Sequence, residues 1–383
     1  MIGYGRQSIS EEDIASVVDV LRSPFMTQGP KITEFEQKLC DYTGAKHCVL
    51  VSNGTAALHI AVAALGLPAG SEGITSPITF TATANSMLYC GLRTVFADID
   101  PESFCLSPAE AEKKITGKTR LISPVHFAGR VADMERFREL ARKHGLKVIE
   151  DAAHAIGSQY PDGSYVGNCK YSDLTIFSFH PVKTITTGEG GAVMTNDDGL
   201  YQRLLLFRSH GITKDPAYLE KNPGPWYYEM HELGFNYRMT DFQAALGISQ
   251  MNRLEAFKQR RLEITKMYNN AFRGLDNVRI PSERNIDQMC FHLYAARFDY
   301  AGIGKSRAQF MAELREHGVG SQVHYIPVHL QPYYRKNFGY KPGDMPEAES
   351  FYEQELSLPL YPSLSDDEVK LVIEAVKQCI KPA

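Results

Sequence analysis

Short apolar runs alternate with amphipathic runs between residues 45 and 200. Several apolar runs are hydrophobic throughout, which is typical of strands buried on both faces of a sheet. Seven strands are predicted: HCVLV (47–51), EGITSP (72–77), TVFADID (94–100), TRLISPV (119–125), KVIED (147–151), LTIFSF (174–179) and GAVMT (191–195).

The runs between these strands have the features of helices. TAALHIAVAALG (55–66) consists mainly of strong helix formers and ends at a glycine. DMERFRELARKHG (133–145) has an acidic start, a basic end and a final glycine. Strands that alternate with helices predict an α/β domain with a mostly parallel, seven-stranded sheet.

The second part of the chain has a different pattern. The amphipathic stretch 237–272 is long enough for more than one helix, and a smaller α+β unit follows it. We expect an N-terminal segment and large domain over 1–255 and a small domain over 256–383. The signals of the small domain are a strand at 291–299, a helix at 306–318, a strand or loop at 321–327, and a helix at 365–380 that opens with the capping box Ser365–Glu368.

Composition narrows the class of protein. The 383 residues are 43% hydrophobic and 22% charged, as in ordinary globular proteins. A net charge of −4 gives no support to a nucleic-acid or anionic-membrane partner. The seven cysteines are odd in number and form no C-x-x-C pair, which argues for reduced thiols and against a zinc site. With no apolar leader and no apolar run of about 20 residues, we expect a cytoplasmic protein.

The first motif that carries chemistry is SNGTAALH (52–59), between a strand and a helix. Gly54 lets the backbone approach an anion closely, and the helix N-terminus offers free N–H groups. Thr55 adds a hydroxyl. The alternative is an ordinary strand–helix turn capped by Ser52 or Asn53.

The second motif is EDAAHAIGS (150–158). Asp151 ends a predicted strand, so it should lie at the carboxyl edge of the sheet, where open α/β sheets bind ligands. A carboxylate there can keep a heterocyclic nitrogen protonated, and His154 can turn over the ring. The alternative is that Asp151 is the N-cap of a following helix.

The third motif is SFHPVKTITTGEGG (178–191). Ser178 ends a strand and should lie at the same edge as Asp151. Lys183 follows, and Gly188, Gly190 and Gly191 lead into the next strand. A lysine that forms a Schiff base needs such a desolvated, fixed setting. The alternative is a surface lysine beside a hairpin turn.

Together the three motifs supply an anion cradle, a carboxylate for a pyridine nitrogen and an amine for an aldehyde, which are the groups that pyridoxal 5′-phosphate (PLP) requires. This arrangement resembles the fold-type-I PLP enzymes, and more narrowly the DegT-type sugar-nucleotide aminotransferases. The resemblance runs nearly from end to end. It includes TQGPKITEFEQKLCDYTGAKHCVLVSNGTAALH, SPITFTATANS and GFNYRMTDFQAALGISQ.

The resemblance implies a role for each residue of the motifs. Lys183 would bind the cofactor covalently and then move protons, and Asp151 would pair with the ring nitrogen. Phe80 would stack on the ring, and His154 stands where many relatives have glutamine. The remaining implied contacts are with the phosphate and come from Gly54, Thr55, Ser178 and, from a neighbouring subunit, Asn236. A homodimer with shared active sites is therefore implied.

Within the family, SFHPVKTITTGEGG, LFRSHGITKD and VGSQVHYIPVHLQPYY are most similar to the pseudaminic-acid branch. Its enzymes transfer an amino group from glutamate to C4 of a UDP-linked 4-keto-6-deoxy N-acetylhexosamine. The rival is the 4-amino-arabinose branch, which serves lipid A modification, since HFAGRVADME resembles both. The implied substrate contacts are Tyr4, Phe25, Met26, Thr27, His324 and Tyr325. Phe25 and Tyr325 have an alternative as core or interface aromatics.

Two other classes of function compete. A PLP-binding regulator would need an added DNA-binding module, and no basic helix-turn-helix segment is evident in the sequence. PLP-dependent sugar dehydratases replace the lysine with histidine, whereas this chain has Lys183. Transamination is the function that the sequence favours.

Overall fold

The structure of the protein, a computed structural model, describes residues 1–381. The strands are β1 (His47–Val51), β2 (Glu72–Thr75), β3 (Arg93–Phe96), β4 (Thr119–Ser123), β5 (Lys147–Asp151), β6 (Leu174–Ser178), β7 (Gly191–Thr195), β8 (Ile212–Thr213), β9 (Glu229–Met230), β10 (Val278–Arg279), β11 (Tyr294–Phe298) and β12 (Glu355–Leu358). The helices are α1 (Glu11–Arg22), α2 (Pro30–Thr43), α3 (Gly54–Ala64), α4 (Thr81–Tyr89), α5 (Pro108–Lys113), α6 (Met134–His144), α7 (Asp198–Arg208), α8 (Asp241–Met251), α9 (Leu254–Phe272), α10 (Tyr300–Ile303), α11 (Arg307–Glu316), α12 (Pro332–Phe338), α13 (Pro346–Gln354) and α14 (Asp366–Cys379).

The large domain is built on a seven-stranded sheet with the order β1-β7-β6-β5-β4-β2-β3. All pairings between β6 and β3 are parallel. Strand β7 runs antiparallel to both of its neighbours. The mostly parallel α/β sheet predicted from the sequence is therefore confirmed.

Both faces of this sheet are buried. Val49 and Val51 of β1 pack into one hydrophobic cluster with the helix α3, whereas Cys48 and Leu50 pack into the cluster on the opposite face. Successive side chains of a strand point to opposite faces, so a strand covered on both sides is expected to be mostly apolar. This burial explains why the strands lack polar–apolar alternation.

A third hydrophobic cluster lies in the C-terminal part of the chain. It joins α9, α11 and α14 to the antiparallel sheet β10-β11-β12, and Ile2 from the N-terminal segment packs into it. The segment 328–351 packs, through Val328 and Phe351, into the cluster that contains Cys48 and Leu50. The division at residues 255 and 256 stays a proposal, and the last two residues of the proposed small domain lie outside the described range.

Several predicted boundaries agree closely with the structure. The runs 47–51, 147–151 and 191–195 are strands over their full lengths. The stretch 237–272 contains two helices, α8 and α9, and the capping box of Ser365 and Glu368 is present. The run 321–327, expected to be strand or loop, is a loop with one bridge to β12. Among residues 1–381, no helix is both long and apolar enough to cross a bilayer.

Candidate active site

One edge of the large sheet brings the predicted motifs together. Strands β1, β5 and β6 all end there, and β7 begins there, so that Gly191 pairs with both Val51 and Ser178. Asp151 pairs with Ile176 in the neighbouring strand. A cavity of about 650 Å³ opens over this edge. Its position matches the crevice at which open α/β sheets bind ligands.

Asp151 lies at the base of the cavity with 4% of its surface exposed. Thr83 Oγ1 donates a hydrogen bond to its Oδ2 at 2.6 Å. The Ala153 N–H donates to its Oδ1 at 3.1 Å. A turn follows β5, so the alternative of an N-cap for a next helix is wrong. Both oxygens are held in place, and the carboxylate is available to a cationic nitrogen in the cavity.

Lys183 lies in the loop between β6 and β7 and lines the same cavity. The backbone N–H of Lys183 donates a hydrogen bond to the His180 carbonyl at 2.9 Å, which fixes the backbone at the lysine. Burial lowers the pKa of Lys183 to about 8, while the charge of Asp151 acts in the opposite direction. Such an amine has a substantial neutral fraction near neutral pH, as a nucleophile requires.

The N-terminus of α3 forms an anion cradle against β6. Asn53 caps the helix by accepting the Ala56 N–H at 2.8 Å. A Cβ on Gly54 would lie 3.0 Å from Ser178 Cβ, and a Cβ on Gly191 would lie 2.6 Å from the Asn53 carbonyl oxygen. The cap proposed as the alternative is therefore present, and it occurs together with a close backbone approach that requires glycine.

His154 is 7% exposed and lies against the cavity. Its Nδ1 lies 3.3 Å from the Ala128 N–H, and its Nε2 lies 3.2 Å from the Tyr325 hydroxyl oxygen. Burial and the nearby Lys183 and His324 hold the pKa of His154 well below its ordinary value. The ring is therefore neutral. With Nδ1 as acceptor, its proton lies on Nε2 and is donated to Tyr325.

Phe80 is unusually exposed for an aromatic side chain, at 61% of its surface. It precedes the helix α4 and lines the cavity, with its ring centre 6.5 Å from that of Tyr325. An exposed aromatic face inside a cavity is available for stacking on a planar ligand.

The cavity brings together most of the residues that the sequence singled out. It is lined by Tyr4, Gly54, Thr55, Phe80, Asp151, His154, Ser178, Lys183, His324 and Tyr325. Four others do not line it within one chain. Phe25 and Met26 are about half exposed, Thr27 bridges to Thr240, and Asn236 bridges to Ser209.

Three further residues at the site were missed from the sequence. Thr83 holds Asp151, and its signal was the hydroxyl one turn after Phe80 in SPITFTATANS. His292 is 4% exposed, and its ring centre is 4.4 Å from that of His154. The sequence feature that could have identified His292 is its place as a lone histidine in an apolar run. Tyr237 lines the cavity and carried no distinct signal.

The donor set fits PLP. The cavity offers a carboxylate for a ring nitrogen, an amine of lowered pKa for an aldehyde, and a glycine-lined helix N-terminus for a phosphate. The glycines are the most specific part of this fit, because a Cβ at Gly191 would clash with the Asn53 carbonyl and a Cβ at Gly54 would crowd Ser178.

Comparisons with known proteins place the chain in a family. The sequence profile of the DegT/DnrJ/EryC1/StrS aminotransferase family matches residues 7–377. The chain is 36% identical to the UDP-4-amino-4-deoxy-L-arabinose–oxoglutarate aminotransferase of Shewanella sediminis, over 98% of this chain and 97% of that protein.

Solved structures are equally similar over their whole length. Helicobacter pylori PseC, described as an aminotransferase involved in the biosynthesis of pseudoaminic acid, has a TM-score of 0.91 and 32% identity, and 99% of each chain is covered. Spr1654 of Streptococcus pneumoniae, to which a sugar aminotransferase activity has been attributed, has in its PMP form a TM-score of 0.92, 32% identity and 99% coverage of each chain. A PLP form of Spr1654 matches as well. By fold, site geometry and sequence, this chain is a sugar aminotransferase that belongs to the DegT/DnrJ/EryC1/StrS family.

Proposed function

We propose that the protein is a PLP-dependent aminotransferase that moves an amino group from glutamate to C4 of a UDP-linked 4-keto-6-deoxy N-acetylhexosamine. The product would be UDP-4-amino-4,6-dideoxy-N-acetyl-β-L-altrosamine, in a pathway of the pseudaminic-acid type. The observation that carries the transamination is the convergence of Lys183, Asp151 and the glycine cradle in one cavity. The similarity to PseC supports the choice of sugar.

Different residues are proposed to bind the ring and the phosphate of the cofactor. When bound, PLP supplies an aldehyde that takes up the amino group and a protonated ring that accepts electrons. Asp151, held by Thr83 and Ala153, would keep that ring nitrogen protonated. Lys183 would hold the cofactor through its amine and then carry a proton at its Nζ, because burial lowers its pKa to about 8. The exposed face of Phe80 would be available to stack on the ring.

The remaining cofactor contacts complete the proposal. Gly54, Thr55 and Ser178 of one chain would bind the phosphate. Asn236 is exposed and lies outside the cavity of its own chain, so in a homodimer it would reach the phosphate of the partner. The neutral His154 donates its Nε2 proton to Tyr325, so the pair acts as one unit beside the ring.

The sugar nucleotide occupies the mouth of the same cavity. Tyr4, His324 and Tyr325 line it, and the ring centres of Tyr4 and His324 are 5.5 Å apart. Phe25, Met26 and Thr27 are exposed on the loop before α2 and contact the substrate in the assembled dimer. The cytoplasmic location is proposed on the seven cysteines, which are all free.

A UDP-4-keto-pentose of the 4-amino-arabinose pathway is the alternative substrate. It is favoured by the 36% identity to the Shewanella sediminis enzyme over nearly the whole chain. The hexosamine carries an N-acetyl group at C2 and a methyl group at C5 that the pentose lacks, so the residues at the mouth of the cavity, rather than Lys183 or Asp151, decide between them.

The test is to incubate the holoenzyme with each UDP-4-keto sugar and glutamate, and to identify the product by NMR. We expect an amine at C4 of the N-acetylated 6-deoxy sugar and little turnover of the pentose. Preferential amination of the pentose would overturn the substrate proposal. Turnover of neither sugar, in a protein in which borohydride labels Lys183, would overturn both substrates and leave the cofactor proposal standing.

A further inference from the structure

A buried hydrogen-bond relay lies behind His324, on the side away from the cavity. His324 itself lines the cavity and is 7% exposed. Behind it, Glu355 and Ser357 of β12 are fully buried. Neither residue belongs to a sequence motif described above, and neither lines the cavity.

Three distances define the relay. Glu355 Oε2 accepts the His324 N–H at 2.8 Å. Glu355 Oε1 and Ser357 Oγ are 2.6 Å apart, and Ser357 Oγ and His324 Nδ1 are 2.9 Å apart. The serine hydroxyl has a single proton and stands between a carboxyl group and an imidazole. The direction of the hydrogen bonds along this relay therefore depends on the charge of Glu355.

With Glu355 ionised, only one order is consistent. The carboxylate can only accept, so Ser357 donates its proton to Glu355 and accepts from His324 Nδ1–H. The neutral imidazole then has a bare Nε2, which is an acceptor. With Glu355 protonated, Glu355 donates to Ser357, and Ser357 donates to Nδ1. The imidazole proton then lies on Nε2, which is a donor.

We propose that Glu355 and Ser357 are positioning residues that set, through the proton on Glu355, whether His324 offers the sugar nucleotide a hydrogen-bond donor or an acceptor. This inference rests on the proposed function for the identity of the ligand. The relay itself follows from the contacts within this chain.

The surroundings of Glu355 keep the relay in a useful range of pH. Burial raises the pKa of Glu355 to about 8, although Arg307 of α11 acts in the opposite direction. The uncharged phenols of Tyr300 in α10 and Tyr325 in the loop also face it. On the neighbouring strand β11, Arg297 is in register with Glu355 but lies over the Phe104 ring.

His324 does not itself become charged in this range. Burial and the nearby Lys183 lower the pKa of His324 to about 3. A raised carboxyl pKa means that Glu355 keeps its proton below about pH 8 and loses it above. Near neutral pH, His324 should therefore act as a donor, which suits the hydroxyl, carbonyl and phosphate oxygens of a sugar nucleotide.

The relay is tested by reading the tautomer of His324 directly. We would label the histidines of the holoenzyme with ¹⁵N, assign His324 from the signal lost in His324→Gln, and record two-bond ¹H–¹⁵N spectra between pH 6 and 10. The proton is expected on Nε2 at pH 6 and on Nδ1 at pH 10. The same tautomer at both limits would overturn the proposal.

Three variants refine the test. Glu355→Gln satisfies the His324 N–H with its amide oxygen and donates its amide proton to Ser357, so His324 should keep Nε2–H at every pH. Ser357→Ala interrupts the hydrogen-bond relay. It should remove the pH dependence of the His324 tautomer, and it tests the relay even if Glu355→Gln folds poorly. Glu349→Gln is the matched control, because Glu349 bonds His329 at 3.0 Å and does not line the cavity. It should keep the wild-type response, and loss of the response there would contradict the relay.

Kinetics separates this inference from the proposed function. In the wild type the KM for the keto sugar should change about fivefold to tenfold between pH 7 and pH 9, the value of one hydrogen bond, with a smaller change in kcat. Glu355→Gln should abolish that change in KM. A tautomer change without turnover of the keto sugar would overturn the proposed substrate and keep the relay.

Discussion

At the scale of single residues, the chemistry of Lys183 depends on the water that the fold removes from it. Its amine should react with an aldehyde only when neutral, so PLP capture by the apoprotein should follow the pKa of about 8. At pH 7 about one tenth of the amine is neutral, so the rate should rise about tenfold from pH 6 to pH 7 and level off above pH 8. Stopped-flow absorbance of apoprotein mixed with PLP measures this rate.

The variant Asp151→Asn tests what sets the pH profile of PLP capture. The charge of Asp151 raises the pKa of Lys183, so Asp151→Asn should move the midpoint to lower pH. A midpoint above about pH 9.5 in the wild type would mean that Lys183 is hydrated like an ordinary lysine, and would contradict the burial described for the site.

His154 is predicted to tolerate glutamine but not an apolar residue. The ring accepts from Ala128 and donates to Tyr325, and a glutamine amide also offers one acceptor and one donor. We expect His154→Gln to keep kcat within about tenfold of wild type, and His154→Leu to lose about tenfold more, because it leaves the Ala128 N–H and Tyr325 unpaired. Steady-state assays of both variants decide this; equal activity would show that the two bonds are not used.

Sequence reasoning reached some of these residues and missed others for a physical reason. Asp151 and Ser178 end apolar strands, so a local pattern assigns them to one sheet edge. The partner of His154 at Tyr325 is 171 positions away, and the partner of Asp151 at Thr83 is 68 positions away. Contacts of this kind depend on tertiary packing, which a local pattern does not contain.

At the scale of elements, the approach of α3 to β6 is the feature most sensitive to substitution. A Cβ on Gly54 would lie 3.0 Å from Ser178 Cβ, so the helix N-terminus or the strand would have to shift by a few tenths of an ångström. Overpacking costs about 1–3 kcal/mol, so Gly54→Ala should weaken PLP binding about ten- to hundredfold. Gly117→Ala, where a Cβ would meet nothing within 4 Å, is the control and should bind normally.

Fluorescence titration with PLP measures both affinities, and circular dichroism confirms that each variant is folded. Unchanged affinity in a folded Gly54→Ala variant would mean that the phosphate does not use this helix N-terminus.

Helices and strands were predicted best where a clear sequence signal marks their ends. Strands β1, β5 and β7 were located to the residue because apolar runs end abruptly in turns. The break between α8 and α9 at Asn252 and Arg253 has no glycine or proline, so the sequence indicated more than one helix without placing the break. The two-residue β8, β9 and β10 were missed because such short runs carry too little pattern. Strand β12 was missed because two of its four residues, Glu355 and Ser357, are polar although the strand is buried.

At the scale of the whole molecule, the proposed sharing of Asn236 between subunits can be tested by complementation. Lys183→Ala and Asn236→Asp are each expected to inactivate the enzyme, the second because its charge repels the phosphate. After the two proteins are unfolded, mixed and refolded, random pairing makes about half of the dimers mixed. Each mixed dimer then has one intact site, so about a quarter of wild-type activity should return.

The opposite outcome is equally clear. If Asn236 serves its own chain, every site keeps one lesion and no activity returns. Mass spectrometry of the refolded dimers must confirm that mixed dimers are present before that result is used to reject a shared site.

The cavity has a base and a mouth that belong to different parts of the molecule. Lys183 and Asp151 are anchored to the large sheet, whereas Tyr4 lies on the N-terminal segment, which is bonded to the C-terminal unit through the Leu360 N–H. If Tyr4 and His324 contact the sugar as proposed, substitutions near them should change the sugar that is accepted while Lys183 and Asp151 stay untouched. New sugar specificity would then not require inactive intermediates, and directed evolution of this enzyme should begin with libraries confined to the mouth.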